Sequence, residues 1–298
     1  MQRNGAPRLW PALVAVNIAA IIFGSTALFG RLEASPVWIV AGRGFFAWVA
    51  LCAVAAARGL PLRLAAGRFG RVALSALLLA LHWIAFFTAV RVGGVAVGTL
   101  TAATFPLFTI VLEAVRWQRK PSAIELAAGA TILVAVALIS GPGAPASGAG
   151  FGVAIGLVAA LLFAVFALVS QDLAKQTKAI TLSMYQQGMV ALLLLPALPF
   201  IEPLRTAGDW IAITALGVIG TALTHQLYLF ALGRLPASVC GGFVTLEPVY
   251  AILFAALLFG EPVRPVALLS AALIIGASLL LLRQSSAVAI TTERNSIS

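Results

Sequence analysis

Apolar residues occupy this chain in runs of about twenty, cut by short stretches that hold nearly all of the charge. A run of that length matches one α-helix crossing a hydrocarbon core of about 30 Å. Barrel strands would show segments of about ten residues with alternating character, and the sequence has no such segments. The pattern predicts ten spans, at 10–30, 36–57, 69–90, 94–117, 123–141, 150–171, 179–200, 208–232, 236–259 and 262–282. The connections are short, so neighbouring helices are expected to pack antiparallel. The longest uncharged Gly- and Pro-rich gap, GPGAPASGAG at 141–150, falls between spans five and six and is expected to join two halves. The polar stretch 283–298 is expected to be a disordered tail.

The two halves repeat one another. HWIAFFTAVRVGGVAVGTLTAATFPLF at 82–108 has a weaker echo in HQLYLFALGRLPASVCGGFVTLEPVY at 225–250. An offset of 143 brings His82 onto His225, Phe87 onto Phe230 and Arg91 onto Arg234, and an offset of 142 brings Pro106 onto Pro248. Each copy reads as an apolar helix, a short turn with one arginine, and a second apolar helix interrupted by proline. An ordered set of four matched residues marks an internal duplication.

Composition agrees with lipid rather than water around most of the surface. Hydrophobic residues make up 62% of the chain and charged residues 9%, with a mean hydropathy of +1.08. A soluble domain carries about 25% charged residues, so an all-α integral membrane protein is expected. The net charge of +10 does not point to nucleic acid, because the cations lie between apolar runs and form no single patch. Cys52 and Cys240 both sit inside apolar runs, without metal-type spacing or a disulfide framework. The run after Arg3 and Arg8 is long enough to stay as a span, so no cleaved signal peptide is expected.

Charge also sets the expected orientation. With the amino terminus in the cytoplasm, fourteen Lys and Arg residues fall in inside segments and four in outside ones. That bias places both termini inside. Five spans per half is an odd number, so the second half must enter the membrane in the opposite sense. The expected architecture is ten transmembrane helices as two inverted five-helix repeats, 1–141 and 150–282, with 283–298 a cytoplasmic tail. Many secondary transporters are built this way, with their site near the midplane between the repeats.

The stretches ALHWIAFFTAVRVG at 80–93, TAATFPLFTIVLEAV at 101–115 and TLEPVYAILFAALLFGEPV at 245–263 resemble the EamA family of the drug/metabolite transporter superfamily. The resemblance covers nearly the whole chain, and its most specific part is LEPV followed some ten residues later by GE. It implies an exporter of small metabolites or drugs in a bacterial inner membrane. The His-Trp pair and the chain length are similar to the amino-acid exporter branch, including aromatic amino-acid exporters. The two copies differ where it matters: TFP stands opposite LEP, and Gln118-Arg119 opposite Gly260-Glu261. Acid chemistry at Glu247 therefore has no symmetric partner.

Several residues could carry the chemistry. Pro106 and Pro248 each free the carbonyl four residues back, at Ala102 and Val244. They read as paired hinges lining a wet cavity, or as static kinks. Glu247 lies deep in span nine, where an acid costs roughly 2.5–3.5 kcal/mol to insert. It could couple protons, hold a substrate ammonium, or close the gap left by Pro248. His82 and His225 could face one cavity or be bonded to neighbouring helices. Arg43, seven residues into span two, could snorkel outward or attract a carboxylate, and Gln186 stands opposite it at the same offset of 143. Helical spacing places Phe86 beside His82, and Tyr228 with Thr221 beside His225. It directs Thr101, Phe105, Phe243 and Glu247 to the same centre, with Trp83 next to His82 in sequence. Rings mixed with a few polar groups suit an amphipathic solute such as an amino acid. No third ligand is spaced for a metal, and no cofactor is expected.

The leading expectation is a secondary exporter of amino acids or similar small metabolites, working by alternating access. No GxxxxGK[ST] sequence encodes an ATP motor. An exporter of drugs or quaternary cations is the nearest alternative and would rely on Glu247. An intramembrane enzyme is a distant one: Ser25, Ser75 and Ser170 lack a GxSxG context, and the spans hold no paired aspartates. A non-transporting scaffold would need no hydrated cavity. Ten spans can enclose a cavity within one chain, which allows a monomer.

Overall fold

A computed structural model describes residues 9–280, apart from 61, 66, 117, 119, 141–148, 236 and 278. The expected joint between the halves and the tail thus lie outside the described residues. Every described element is helical. In chain order they are α1 (Trp10–Thr26, extended by a 3₁₀ turn Ala27–Arg31), α2 (Pro36–Ala57), α3 (Phe69–Ala102), α4 (Phe105–Arg116), α5 (Ala123–Ser140), α6 (Ala149–Gln176) and α7 (Ala179–Leu194). A 3₁₀ turn, Leu195–Phe200, comes after α7. Next are α8 (Ala207–Gly217), a π turn (Val218–Leu223), α9 (Thr224–Leu232), α10 (Ala237–Val244) and α11 (Glu247–Phe259). The last is α12 (Pro265–Ala277).

Seven stretches are helical, long and apolar enough to cross a membrane: Trp10–Arg31, Pro36–Ala57, Phe69–Ala102, Gly150–Gln176, Ala179–Phe200, Ala207–Leu232 and Val239–Phe259. Two shorter apolar helices, Ala123–Leu138 and Pro265–Ala277, stand at the expected places of spans five and ten. The difference from ten has a local cause. Gly94 divides the stretch Phe69–Ala102 into two arms at the expected boundary of spans three and four: Gly98 lies back against Val90, so the second arm, followed by the 12-residue α4, makes up the expected fourth span in two short pieces. Gly94 takes φ 85° and ψ 167°, a conformation that a side chain would resist. The chain therefore reverses there, which brings both Ala89 and Thr101 against Gly156.

Local chemistry fixes the helix ends. Ser35 accepts a hydrogen bond from the Trp38 N–H ahead of Pro36, which tolerates the first helical position because it lacks an N–H. Ser122 with Glu125 and Thr206 with Asp209 form reciprocal capping boxes at the starts of α5 and α8. The outer surface is apolar, with Leu192, Ile211 and Leu257 all exposed, as lipid contact requires.

The packing shows which way the helices run. Gly93 lies against Gly152, His82 against Ala159 and Arg71 against Asp172, so α6 runs antiparallel to α3. Gly30 meets Val90 near the end of the α1 extension, and Phe23 and Trp83 both touch His225 one level deeper. Those contacts make α1 parallel to α3. Helices α1 and α6, which open the two halves, therefore point in opposite directions. A Cβ on Gly152 would stand 3.0 Å from the Gly93 Cα, and a Cβ on Gly156 would overlap the Thr101 side chain. Small residues let these two helices touch backbone to backbone.

Candidate functional site

The prolines do not interrupt a helix; they begin one. α3 stops at Ala102, Ala103 and Thr104 form a turn, and α4 restarts at Phe105-Pro106. In the other half α10 stops at Val244, Thr245 and Leu246 turn, and α11 restarts at Glu247-Pro248. Proline at the second position of a new helix gives up an N–H that would have had no helical acceptor. The expected proline-kinked helix is thus replaced by a pair of helix breaks. The hydroxyls of Thr104 and Thr245 stay within the breaks, donating to Thr101 O at 2.7 Å and Gly242 O at 2.6 Å.

Both breaks open on one central cavity. Ala102, Ala103, Phe105, Val244 and Glu247 line it, and α1 adds Phe23 and Thr26. Arg43, His82, Trp83, Phe86 and Phe163 complete the wall. Its open volume is about 30 Å³, room for a water or so. The amino-terminal ends of α4 and α11 carry the positive ends of their helix dipoles here.

Arg43 is 1% exposed, so it does not snorkel. Its Nε donates to Thr221 Oγ1 at 2.9 Å, and one terminal nitrogen reaches Gly220 O at 3.4 Å. Its guanidinium carbon stands 3.8 Å over the Trp83 ring and 5.5 Å from Phe87. A desolvated cation–π contact is worth about 2 kcal/mol. The π turn makes the docking possible. Thr221 and Thr224 donate to carbonyls five residues back, at Leu216 and Ile219, within the widened turn that offers Gly220 O to Arg43. Glu247 lines the same cavity, within coulombic range of Arg43. An acid and a base from different halves thus share one small space.

The histidines have unlike surroundings. His82 Nδ1 is 2.8 Å from Ala159 O, and its ring packs at 4.9 Å from Phe163 and 6.1 Å from Phe86. His225 lies behind the cavity wall, boxed by Trp83 at 5.0 Å, Phe23 at 5.8 Å, Phe166 at 6.1 Å and Tyr228 at 6.4 Å. Neither ring nitrogen of His225 nor the Tyr228 hydroxyl has a protein partner. Buried groups of that kind are uncommon. They lie one ring away from the cavity, with Trp83 between His225 and its space.

The structure therefore brings together Arg43, His82, Trp83, Phe86, Phe105 and Glu247, with His225 and Tyr228 as backing. It sets the others apart. Gln186 is wholly buried and gives its amide N–H groups to Ser75 at 2.9 Å and Ser170 at 3.1 Å, which ties α7 to α3 and α6. Thr101 returns its hydroxyl to Val97 O at 2.7 Å on its own helix. Phe243 packs against the hydrophobic core. Sequence reasoning missed Phe23, Thr26 and Phe163. A signal existed for the aromatic layer: Phe23 and Phe166 are related by the same offset of 143 as the histidines, and both contact His225. Among the described residues, no group of three His, Cys, Asp or Glu could hold a metal ion.

Comparison with known proteins gives the family and the fold. The model of the EamA-like transporter family matches residues 10–141 and again 150–283. No curated protein matches. A solved structure described as "Crystal structure of protein" is similar with a TM-score of 0.69 and 18% identity, covering 91% of this chain and 96% of the other. At that identity the likeness speaks for the fold alone.

Proposed function

The chain belongs to the EamA-like transporter family, and from that premise we propose a secondary transporter that exports small amphipathic metabolites, amino acids foremost, across a bacterial inner membrane by alternating access. One observation carries the proposal: a guanidinium from the first half and a carboxyl from the second face the same aromatic-walled cavity. A zwitterion satisfies both. Its carboxylate pairs with Arg43 and the amino ends of α4 and α11, its ammonium with Glu247, and its side chain lies among Phe23, Phe86, Phe105 and Phe163. An exporter of lipophilic cations is the second reading, favoured by Glu247 and the rings. It must place its cargo beside an arginine held by Thr221 and Trp83, which repels it.

The same proposal takes the protein as ten crossings in two inverted repeats, 1–141 and 150–282, with both termini and the segment 283–298 in the cytoplasm, acting as a monomer. The opposed directions of α1 and α6 support it. Cysteines introduced singly as Glu33→Cys and Gln176→Cys, in protein lacking Cys52 and Cys240, are expected to label from opposite sides of the membrane. Labelling from one side alone would remove the inversion.

A space of about 30 Å³ does not hold an amino acid, so the halves must part. Ion pairs bridge them at both ends. Arg31 pairs with Glu261 just beyond the ends of α1 and α11. Arg71 at 3.0 Å and Arg116 at 3.4 Å share Asp172 at the far end. Each exposed pair is worth about 1 kcal/mol or less, weak enough to break in every cycle. Asp172→Asn is expected to raise cytoplasmic labelling of cavity cysteines about five-fold; unchanged labelling would show that this cluster does not hold the inner end shut.

Efflux from liposomes containing the purified protein tests the substrate class. Apolar and aromatic amino acids are expected to leave and lipophilic cations to stay. Flux of cations only, lost in Glu247→Gln, moves the function to the second reading, and flux of neither class refutes both.

A further inference from the structure

The inverted repeat makes pockets in pairs, and one pair differs in charge. At one end of the bundle a pocket of about 390 Å³ is lined by Gly30, Arg31, Leu32, Glu33, Val90, Arg91 and Glu261, among others. At the other end a pocket of about 490 Å³ is lined by Lys175, Gln176, Lys178, Phe230 and Arg234, among others. The repeat offset of 143 carries Glu33 onto Gln176 and Arg91 onto Arg234. The first pocket holds two arginines and two glutamates, with Arg31 and Glu261 paired. The second carries three cations on its wall and, among the described residues, no acid. Where the first has Glu261, the matching sequence position is Arg119.

We infer that this second pocket binds a phosphate group at the cytoplasmic surface of the protein, as the headgroup of an anionic phospholipid or as soluble phosphate. Lys175, Lys178 and Arg234 all line its wall with at least part of their surface open to solvent. Arg234 is braced over Phe230 at 3.7 Å and donates to Phe230 O at 2.9 Å. Arg68 pins the floor, donating to Gln176 O and to Thr177 Oγ1. The start of α7, Lys178 to Ile180, also lines the pocket and brings the positive end of its helix dipole to it. Asp172, three residues before Lys175 on α6, is taken up by Arg71 and Arg116. The charge bias of the chain places this end at the leaflet whose surface is negative, where each Lys or Arg adds about 1 kcal/mol of attraction. The pocket shares no residue with the central cavity, so the inference rests on the orientation proposed above and not on what is transported.

Native mass spectrometry of the full chain released from nanodiscs tests it, with phosphatidylglycerol and phosphatidylcholine offered in equal amounts and inorganic phosphate titrated separately. Retention of phosphatidylglycerol over phosphatidylcholine is expected. The combined Lys175→Gln, Lys178→Gln and Arg234→Gln variant should lose that preference by roughly 100-fold, about five-fold per cation. The variant Lys175→Arg with Lys178→Arg should keep it, as should Arg31→Gln with Arg91→Gln in the opposite pocket; these controls separate lost binding from lost folding. Binding of inorganic phosphate that falls in the triple variant, with no lipid preference, supports the site with a soluble ligand. Equal retention of lipid and of phosphate by wild type and triple variant overturns it.

Discussion

Arg43→Lys is expected to lower amino-acid efflux by about 100-fold or more, nearly as far as Arg43→Gln. A lysine keeps the charge, yet it cannot donate through Nε to Thr221 while lying flat on Trp83. Its ammonium would be a compact, strongly hydrated charge in a space with room for a water or so. Arg43→Gln goes further, since it removes the only cation on the cavity wall and leaves Glu247 there as its only charge among the described residues. Efflux measured in liposomes at matched protein density reads the loss. Wild-type flux from Arg43→Lys would mean that charge alone matters, and the role assigned to the π turn would fall. Thr221→Val separates the two contributions, since it leaves the cation and removes its anchor. A decrease of about ten-fold is expected, rescued by Thr221→Ser.

The second large effect is on folding. Gly152→Leu is expected to leave the protein unable to accumulate as a stable species in detergent. A Cβ there meets the backbone of Gly93 at 3.0–3.1 Å, and backbone cannot rotate aside. Overpacking in a close-packed interior costs typically about 1–3 kcal/mol, and here it must separate α3 from α6, which carry His82, Trp83 and Phe163. Gly152→Ala is the graded control and should lower the unfolding temperature measurably while still folding. Gly150→Leu, where nothing stands within 4 Å, should be close to neutral. Equal melting of Gly152→Leu and wild type would show that the two helices have slack the contacts do not reveal.

Much of the centre is legible in the chain because one offset organises it. The matched histidines locate it, the prolines one residue out of that register mark the helix breaks beside it, and Trp83 and Phe86 come with His82. The same offset carries Phe23 onto Phe166, but single phenylalanines among many do not stand out as histidines do. Gln186 shows the opposite limit. Its match to Arg43 suggests a shared cavity, yet Ser75 and Ser170, from two other helices, hold its amide. Nothing in periodicity says which serine lies opposite which glutamine. The π turn is equally hidden, since one extra residue per turn leaves an apolar run looking like any other. The prolines mark the right places but suggest the wrong local geometry. A proline reveals that a helix cannot continue through it, and only the backbone shows that the helix has already stopped a few residues earlier. The Arg31–Glu261 pair spans 230 residues and has no local signature.

The narrow centre has a consequence for the cell that hosts it. With room for a water or so at its centre, the bundle in this conformation holds no wide aqueous pore through which ions could stream. A membrane crowded with idle copies should therefore keep its voltage and its pH difference, and the cell can hold the protein in reserve without leaking the energy store that powers its neighbours.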